Sequence, residues 1–374
     1  MAAGHGGIDC HHNRDGPDRL PARGTHCRHA QEDAVNPGTY QRLFGYRHAF
    51  DSGLVLGLTI AVVAVLSLTP FVFQFLEQTG KLNEKLRHEL WMRWVSWVIL
   101  APLMIGPVLL GAFETILAIA ILSLVCYREF ARATGLFREH VVSLIVVVGI
   151  LLINFAALDN WYSFFAALSS LTVGAIAAVS ILQDQPKGYI QRVGLAVIGF
   201  MLFGVCLGHL SFFANDPNFR QILFWIILCV ESNDVFAFIC GKSFGHRKLA
   251  PNTSPNKTVG GSLGAFVLTT VLAASLARLV FRQTPLDTWP HALVLGAMIS
   301  ILGQLGDLLL SSVKRDLGIK DMAATIPGHG GFLDRFNSLL LVSPAVFHYV
   351  GYYLGVGLAD QHRIFTMGHF AFSP

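Results

Sequence analysis

From Ser52 onward, apolar residues run in long blocks separated by short polar stretches. A spanning helix needs about 20 apolar residues to cross about 30 Å of hydrocarbon. By that measure the pattern predicts spans over 52–76, 95–112, 113–127, 140–158, 161–182, 191–213, 220–240, 261–281, 291–312 and 337–358. Lipid offers no partner for free backbone N–H and C=O groups, so each block is expected as a helix. Residues 95–127 read either as two short spans through Gly106-Pro107 or as one long kinked span, giving ten or nine in all. The segment from Glu77 to Val95 carries Trp91 and Trp94, is amphipathic, and is expected to rest at the interface.

Composition sharpens this picture. Only 13% of the 374 residues are charged, against about 25% in a soluble domain. Six Arg and five acids fall within residues 1–50, so the remaining chain is poorer still in charge. These counts exclude an intrinsically disordered protein, a fibrous repeat and a disulfide-stapled secreted domain. Residues 1–45 have no apolar period and are expected to form a disordered polar tail ahead of a single membrane domain, 46–374. No apolar core follows a basic start in the first 40 residues, so no signal peptide is read. A net charge of +4, with no basic run interleaved with aromatics, gives no reason to expect a nucleic-acid partner.

Lys and Arg in the connections set the orientation. The 241–260 connection holds Lys242, Arg247, Lys248 and Lys257 with no acid, and 313–335 holds Lys314, Arg315, Lys320 and Arg335. Only Arg282 lies between the spans that separate them. Both basic connections are therefore expected at the cytoplasmic face. Ten spans would place the amino terminus on the opposite side, nine on the same side.

Three polar features stand out. Glu231-Ser232-Asn233-Asp234 lies late in the apolar run 222–240, where a carboxylate costs about 2.5–3.5 kcal/mol on insertion scales and normally faces a cavity, a partner or an ion. The connection Lys242–Gly264 combines four cations, several hydroxyls and late glycines, which suits a polyphosphate. Gly241-Lys242-Ser243 is not a P-loop, because the motif's first Gly is Phe236 and an apolar span precedes it. The third feature, Gly306 to Asn337, is the densest in charge. At helical spacing Gln304, Asp307, Ser311 and Lys314 share one face. Mixed Asp and Lys/Arg is what a magnesium–phosphate site requires: carboxylates for the hard cation, cations for the remaining phosphate charge.

The stretch Ser311–Asn337 resembles the signature of the phosphatidate cytidylyltransferases, the CDP-diacylglycerol synthases. That signature is met by Ser311, Lys314, Arg315, Lys320, Asp321, Pro327 to Gly331, Asp334 and Arg335. Asn233-Asp234-Val235-Phe236-Ala237 and Lys248 to Thr258 also resemble the family, so the likeness spans about 220–345. Asn337 replaces the signature's final Asp, and Asn256, Val259 and Gly260 replace a Lys, a Trp and a Glu of the family pattern.

The resemblance implies an all-α, polytopic integral membrane enzyme of the cell inner membrane, with about nine or ten transmembrane helices and its active site at the cytoplasmic face. It would join CTP to phosphatidic acid, giving CDP-diacylglycerol and pyrophosphate. A homodimer is compatible with this. Mg²⁺ would be held by Asp307 and Asp334 with Asp321, while Lys314, Arg315, His329 and Arg335 complete the catalytic set. Substrate would be bound by Lys248, Ser254, Lys257, Thr258, Ser311, Lys320, Gly328, Gly330, Gly331 and Asp234. The rival readings are a divergent paralogue for another phospho-lipid, a catalytically weak lipid-binding protein, and a carrier using Asp234 and Asp307 as coupling carboxylates.

Overall fold

The computed structural model describes residues 43–79, 84–325, 330–355 and 363–366. Nearly all of the expected polar tail, and Gly328 and His329, lie outside the described residues. The helices are α1 (Gly53–Gln78), α2 (Glu84–Leu110), α3 (Ala112–Thr134), α4 (His140–Leu158), α5 (Tyr162–Leu182) and α6 (Tyr189–Phe213). They continue with α7 (Phe219–Phe244), α8 (Val259–Val280), α9 (Trp289–Asp316), the short α10 (Phe332–Phe336) and α11 (Leu339–Leu354). Eight of these are long and apolar enough to cross a membrane, α3 and α11 being the long helices left out of that eight. The chain is an all-helical, multi-pass membrane protein apart from one small hairpin.

The boundaries depart from the sequence reading in ways that packing explains. Glu77 to Val95 is divided between two helices: α1 runs through Glu77, and α2 begins at Glu84 and continues unbroken to Leu110. Trp94 donates its indole N–H to the Leu66 carbonyl at 2.9 Å, so it packs against α1. The break in 95–127 falls at Gly111 rather than Gly106-Pro107, with Pro102 and Pro107 inside α2. α3 carries on past 127 to Thr134, because its last turns are amphipathic and bury Tyr127, Glu129, Phe130 and Ala131 against the bundle. It ends on Gly135, whose left-handed conformation (φ +80°) closes a helix without a side-chain penalty. α11 is shorter than the predicted 337–358 span, and its first turns are buried by protein on most sides.

α6 contains a π-helical stretch, Phe200–Cys206, whose rings fill the space between α3 and α4; Phe203 meets Phe130 at 5.4 Å between centroids. At the other end of the bundle Arg220, in the first turn of α7, donates to the Gly45 carbonyl at 2.9 Å. This contact sets the segment leading into α1 beside the start of α7, at the end opposite the basic connections.

The basic connection expected to suit a polyphosphate contains an antiparallel hairpin, β1 (Lys248–Ala250) and β2 (Ser254–Thr258), paired Lys248 with Thr258 and Ala250 with Ser254. Strands this short leave no alternation long enough to read. Thr258 then caps α8, its hydroxyl accepting the Gly261 N–H at 3.1 Å. α7 and α8 pack very closely at this end: a Cβ on Gly260 would stand 2.5 Å from the Phe244 carbonyl oxygen. Small residues allow such approaches in helical membrane proteins.

Candidate active site

The site lies where α7, α8, α9, α10 and the hairpin meet. Asn233 and Asp234 are neighbours on α7 but turn about 100° apart, as helix geometry requires. Asn233 is fully buried, and its side-chain oxygen accepts from Thr269 on α8 (3.0 Å) and Ser300 on α9 (2.7 Å), stitching three helices together. Asp234 is exposed toward the polar cleft, within electrostatic reach of Asp307, Lys257 and Arg335, and hydrogen-bonded to Ser338. One helix position thus serves the frame and the next serves the cleft.

Asp307 is the centre of the cleft. It forms an ion pair with Lys257 from β2, and its other oxygen accepts the Asn337 side-chain N–H at 2.6 Å. Both members of the ion pair are about a quarter exposed, so water and a phosphate can reach them. Seven residues further along α9, Lys314 pairs with Asp334 at 2.8 Å. Two turns of helix separate Asp307 from Lys314, about 10 Å along the axis. Asp334 and Asn337 lie three residues apart on one helical turn, so their β-carbons stand about 5–6 Å apart. The acids of α9 and α10 thus border one cleft through different partners, Asp307 through Asn337 and Asp334 through Lys314.

Asp334 is heavily engaged. Beyond Lys314, its second oxygen accepts the backbone N–H groups of Met322 (2.9 Å) and Gly331 (3.0 Å). Asp321 stands close by: a Cβ on Gly330 would lie 3.0 Å from Asp334 Oδ2 and 3.4 Å from Asp321 Oδ1. Gly330 also has φ +82°, so position 330 demands glycine on both counts.

The expected trio of metal ligands does not assemble as such. Among the described residues no three His, Cys, Asp or Glu side chains gather to hold an ion. Asp334 is occupied by an ammonium and two amides, and Asp321 is exposed at the edge. Mg²⁺ nevertheless needs only one or two carboxylates when phosphates and water complete its shell. Asp307, likewise engaged by the Lys257 ammonium and the Asn337 N–H, has Asp234 within electrostatic reach as a second carboxylate.

Other predicted residues take varied places. Arg315 donates to the Thr253 carbonyl at 3.1 Å, tying the hairpin turn to α9. Thr258 is buried as the α8 cap, Ser311 is buried in α9, and Ser254 is half-buried in the hairpin. Lys248 and Lys320 are exposed. The sequence reading missed Glu129 on α3, which is buried and accepts from Thr325 (2.6 Å), Phe332 N–H (3.1 Å) and Leu333 N–H (2.9 Å). Its signal was an acid three residues, or about one helical turn, beyond buried Cys126, in a stretch read as loop. Gln304 was read as part of the polar face; the structure shows it bonded to Ser262, at 2.5 Å from that hydroxyl, across the α8–α9 contact.

An apolar groove of about 430 Å³ opens beside the polar cleft, between α1, α2 and α7. Val65, Trp94, Met104 and Leu228 line it, and Glu231, Ser232 and Val235 stand at its polar end, one turn from Asp234. A second apolar groove of about 300 Å³, lined by Leu122, Leu223, Phe332 and Phe336, runs under α10.

A polytopic helical protein with paired acids and cations at one end of the bundle, beside lipid-sized grooves, belongs among enzymes that act on phosphorylated compounds at a membrane surface. The family is then specific: residues 91–353 match the cytidylyltransferase family, and the chain belongs to it. It is 32% identical over 262 residues to a phosphatidate cytidylyltransferase of Bacillus subtilis, covering 68% of this chain and 95% of that one. A phosphatidate cytidylyltransferase of Staphylococcus haemolyticus is 30% identical over 258 residues, 66% of this chain and 94% of the relative. An uncharacterized protein, YnbB, of Escherichia coli is 28% identical over 298 residues, 77% of this chain and 96% of its own length.

Proposed function

We propose that the protein transfers the cytidylyl group of CTP to phosphatidic acid, yielding CDP-diacylglycerol and pyrophosphate, at the cytoplasmic face of the cell inner membrane. The observation that carries this reading is the convergence of Lys257, Asp307, Lys314, Asp334, Asn337 and Asp234 at one end of the bundle beside an apolar groove.

A phosphate oxygen of the lipid attacks the α-phosphorus of CTP. The new P–O bond forms as the bond to the bridging oxygen of the β-phosphate breaks, and pyrophosphate carries away the electron pair. The attacking phosphate is already anionic, so no strong base is needed. The barrier is the approach of two anions, which positioned cations lower. Lys257, whose partner Asp307 lies two turns of α9 before Lys314, and Lys314 itself supply positive charge to the nucleotide phosphates. Arg335, within electrostatic reach of Asp234, supplies positive charge to the lipid phosphate. Asp307 and Asp234 hold Lys257 in the cleft, and Asp334 holds Lys314. Mg²⁺, held by Asp307 beside Asp234 and Asn337, would supply further neutralisation of the phosphates. The acyl chains lie in the groove between α1, α2 and α7, whose polar end adjoins Asp234.

A second acceptor class is favoured by Asn337, which leaves the cleft one negative charge poorer than the family pattern. Purified protein with CTP, Mg²⁺ and a panel of phosphatidic acid, other anionic phospholipids and a polyprenyl phosphate decides between them. Pyrophosphate release with a CDP-lipid from phosphatidic acid supports the proposal. A CDP-product from another acceptor alone selects the second reading, and no product from any acceptor with folded protein refutes both.

A further inference from the structure

Glu129 is 6% exposed, lies on α3 far from the Ser311–Asn337 signature in sequence, and makes no ion pair among the described residues. A buried carboxylate in that condition must be satisfied by hydrogen bonds or it destabilises the fold. All three of its donors come from one segment. Thr325 gives its hydroxyl, and Phe332 and Leu333 give backbone N–H groups. Phe332 and Leu333 are the first two residues of α10, whose N–H groups have no partner within the helix. Negative charge there also favours the helix dipole. The approach is so close that a Cβ on Gly331 would collide with the Glu129 carboxylate. Asp334, at the third position of α10, takes the Gly331 and Met322 N–H groups from the other side. Two carboxylates therefore grip the start of α10, one from α3 and one from α10 itself.

The geometry points to Glu129 as a positioning residue for the nucleotidyl transfer: it sets the place and angle of α10, and through it Asp334, Arg335 and Asn337. This rests on the functional reading above. A displacement of about 1 Å in such a constellation can cost about 10²-fold in rate.

The test compares full-length Glu129→Gln, Glu129→Ala and Thr325→Val with wild type in detergent. Asp159→Asn is the control, because Asp159 is also buried and accepts the Ile364 (2.9 Å) and Phe365 (2.6 Å) N–H groups, but at the far end of α4. Each is assayed for kcat and KM with CTP and phosphatidic acid, for unfolding midpoint, and for hydrogen exchange at Phe332 and Leu333. The expected result is a kcat loss of about 10²-fold for Glu129→Ala, less for Glu129→Gln and least for Thr325→Val. Loss of exchange protection should follow the same order. Asp159→Asn should lower the midpoint and leave kcat of the folded enzyme unchanged. Wild-type kcat in Glu129→Ala, or unchanged exchange at Phe332 and Leu333, overturns the proposal. Equal kcat losses in Glu129→Gln and Asp159→Asn overturn it too, by reducing Glu129 to a stabilising contact. A wild-type chain that makes no CDP-lipid refutes the functional reading instead, and Glu129 is then judged on the exchange measurement alone.

Discussion

At Asp307, two neighbours hold one carboxylate: an ammonium on one oxygen and an amide N–H on the other. Replacing Asn337 by the family's Asp would put a second carboxylate 2.6 Å from the first, and like charges at that range cannot both stay ionised without a cation between them. Asn337→Asp is therefore expected to lower stability by roughly 0.5–3 kcal/mol without divalent ions and to regain it with Mg²⁺. Unfolding midpoints with and without Mg²⁺ check this; equal midpoints in both would show that the pair does not take an ion. Asp307→Asn removes the partner of Lys257 and a carboxylate facing the phosphates. It should cut turnover by about 10²–10³-fold with the helices intact by circular dichroism. A variant retaining more than a tenth of wild-type turnover would remove Asp307 from the centre of the mechanism.

The α7–hairpin–α8 unit shows how packing decides which residues a position tolerates. Gly260 stands where the family pattern has Glu, and the Phe244 carbonyl closes the space a side chain would need. Gly260→Glu should thus destabilise by about 1–3 kcal/mol through overpacking, read from thermal unfolding in detergent, rather than improve the site. Unchanged stability with raised turnover would show that the hairpin moves freely. The turn between α8 and α9 carries a separate latch: Asp287 accepts the Gln283 N–H at 3.1 Å and the Arg278 side chain at 2.6 Å. The Gln283 N–H and then Arg278 hold the Asp287 carboxyl below its ordinary range. The stabilisation is therefore present above the unfolded carboxylate's pKa and is lost as pH falls through the lowered folded value. Acid titration of the unfolding midpoint should show this loss in the wild type and a flatter profile in Asp287→Asn. The element level is also where sequence and structure part. Long apolar runs gave the spans because lipid forces helix on any such run. The α2–α3 break at Gly111, the short strands and the buried end of α3 depend on neighbours distant in sequence, which no local periodicity encodes. Asp307, Lys257 and Asp334 were legible because charge is scarce against an apolar background. Glu129 was not, because its partners lie some 200 residues away.

For the molecule as a whole, the two ends of the bundle carry different chemistry. One end holds the hairpin, Lys242, Arg247 and Lys248, and the Asp307–Asp334 cleft. The other holds Gly45 against Arg220, the 281–288 turn, and the Arg363–Thr366 segment bound to Asp159. Lys and Arg resist translocation, and the proposed function requires the cation-rich end at the cytoplasmic side, where a soluble nucleotide would meet a lipid headgroup. Single cysteines give the measurement: His246→Cys at the hairpin end and Arg282→Cys at the opposite end, each in a background with Cys10 and Cys27 replaced by Ser. Cys126, Cys229 and Cys240 are buried and compete little for reagent, and half-buried Cys206 is replaced by Ser as well. An impermeant maleimide added to intact cells should label Arg282→Cys and spare His246→Cys until the membrane is opened. Labelling in the reverse order would turn the cleft away from the nucleotide pool and remove the physical basis for CTP as its substrate.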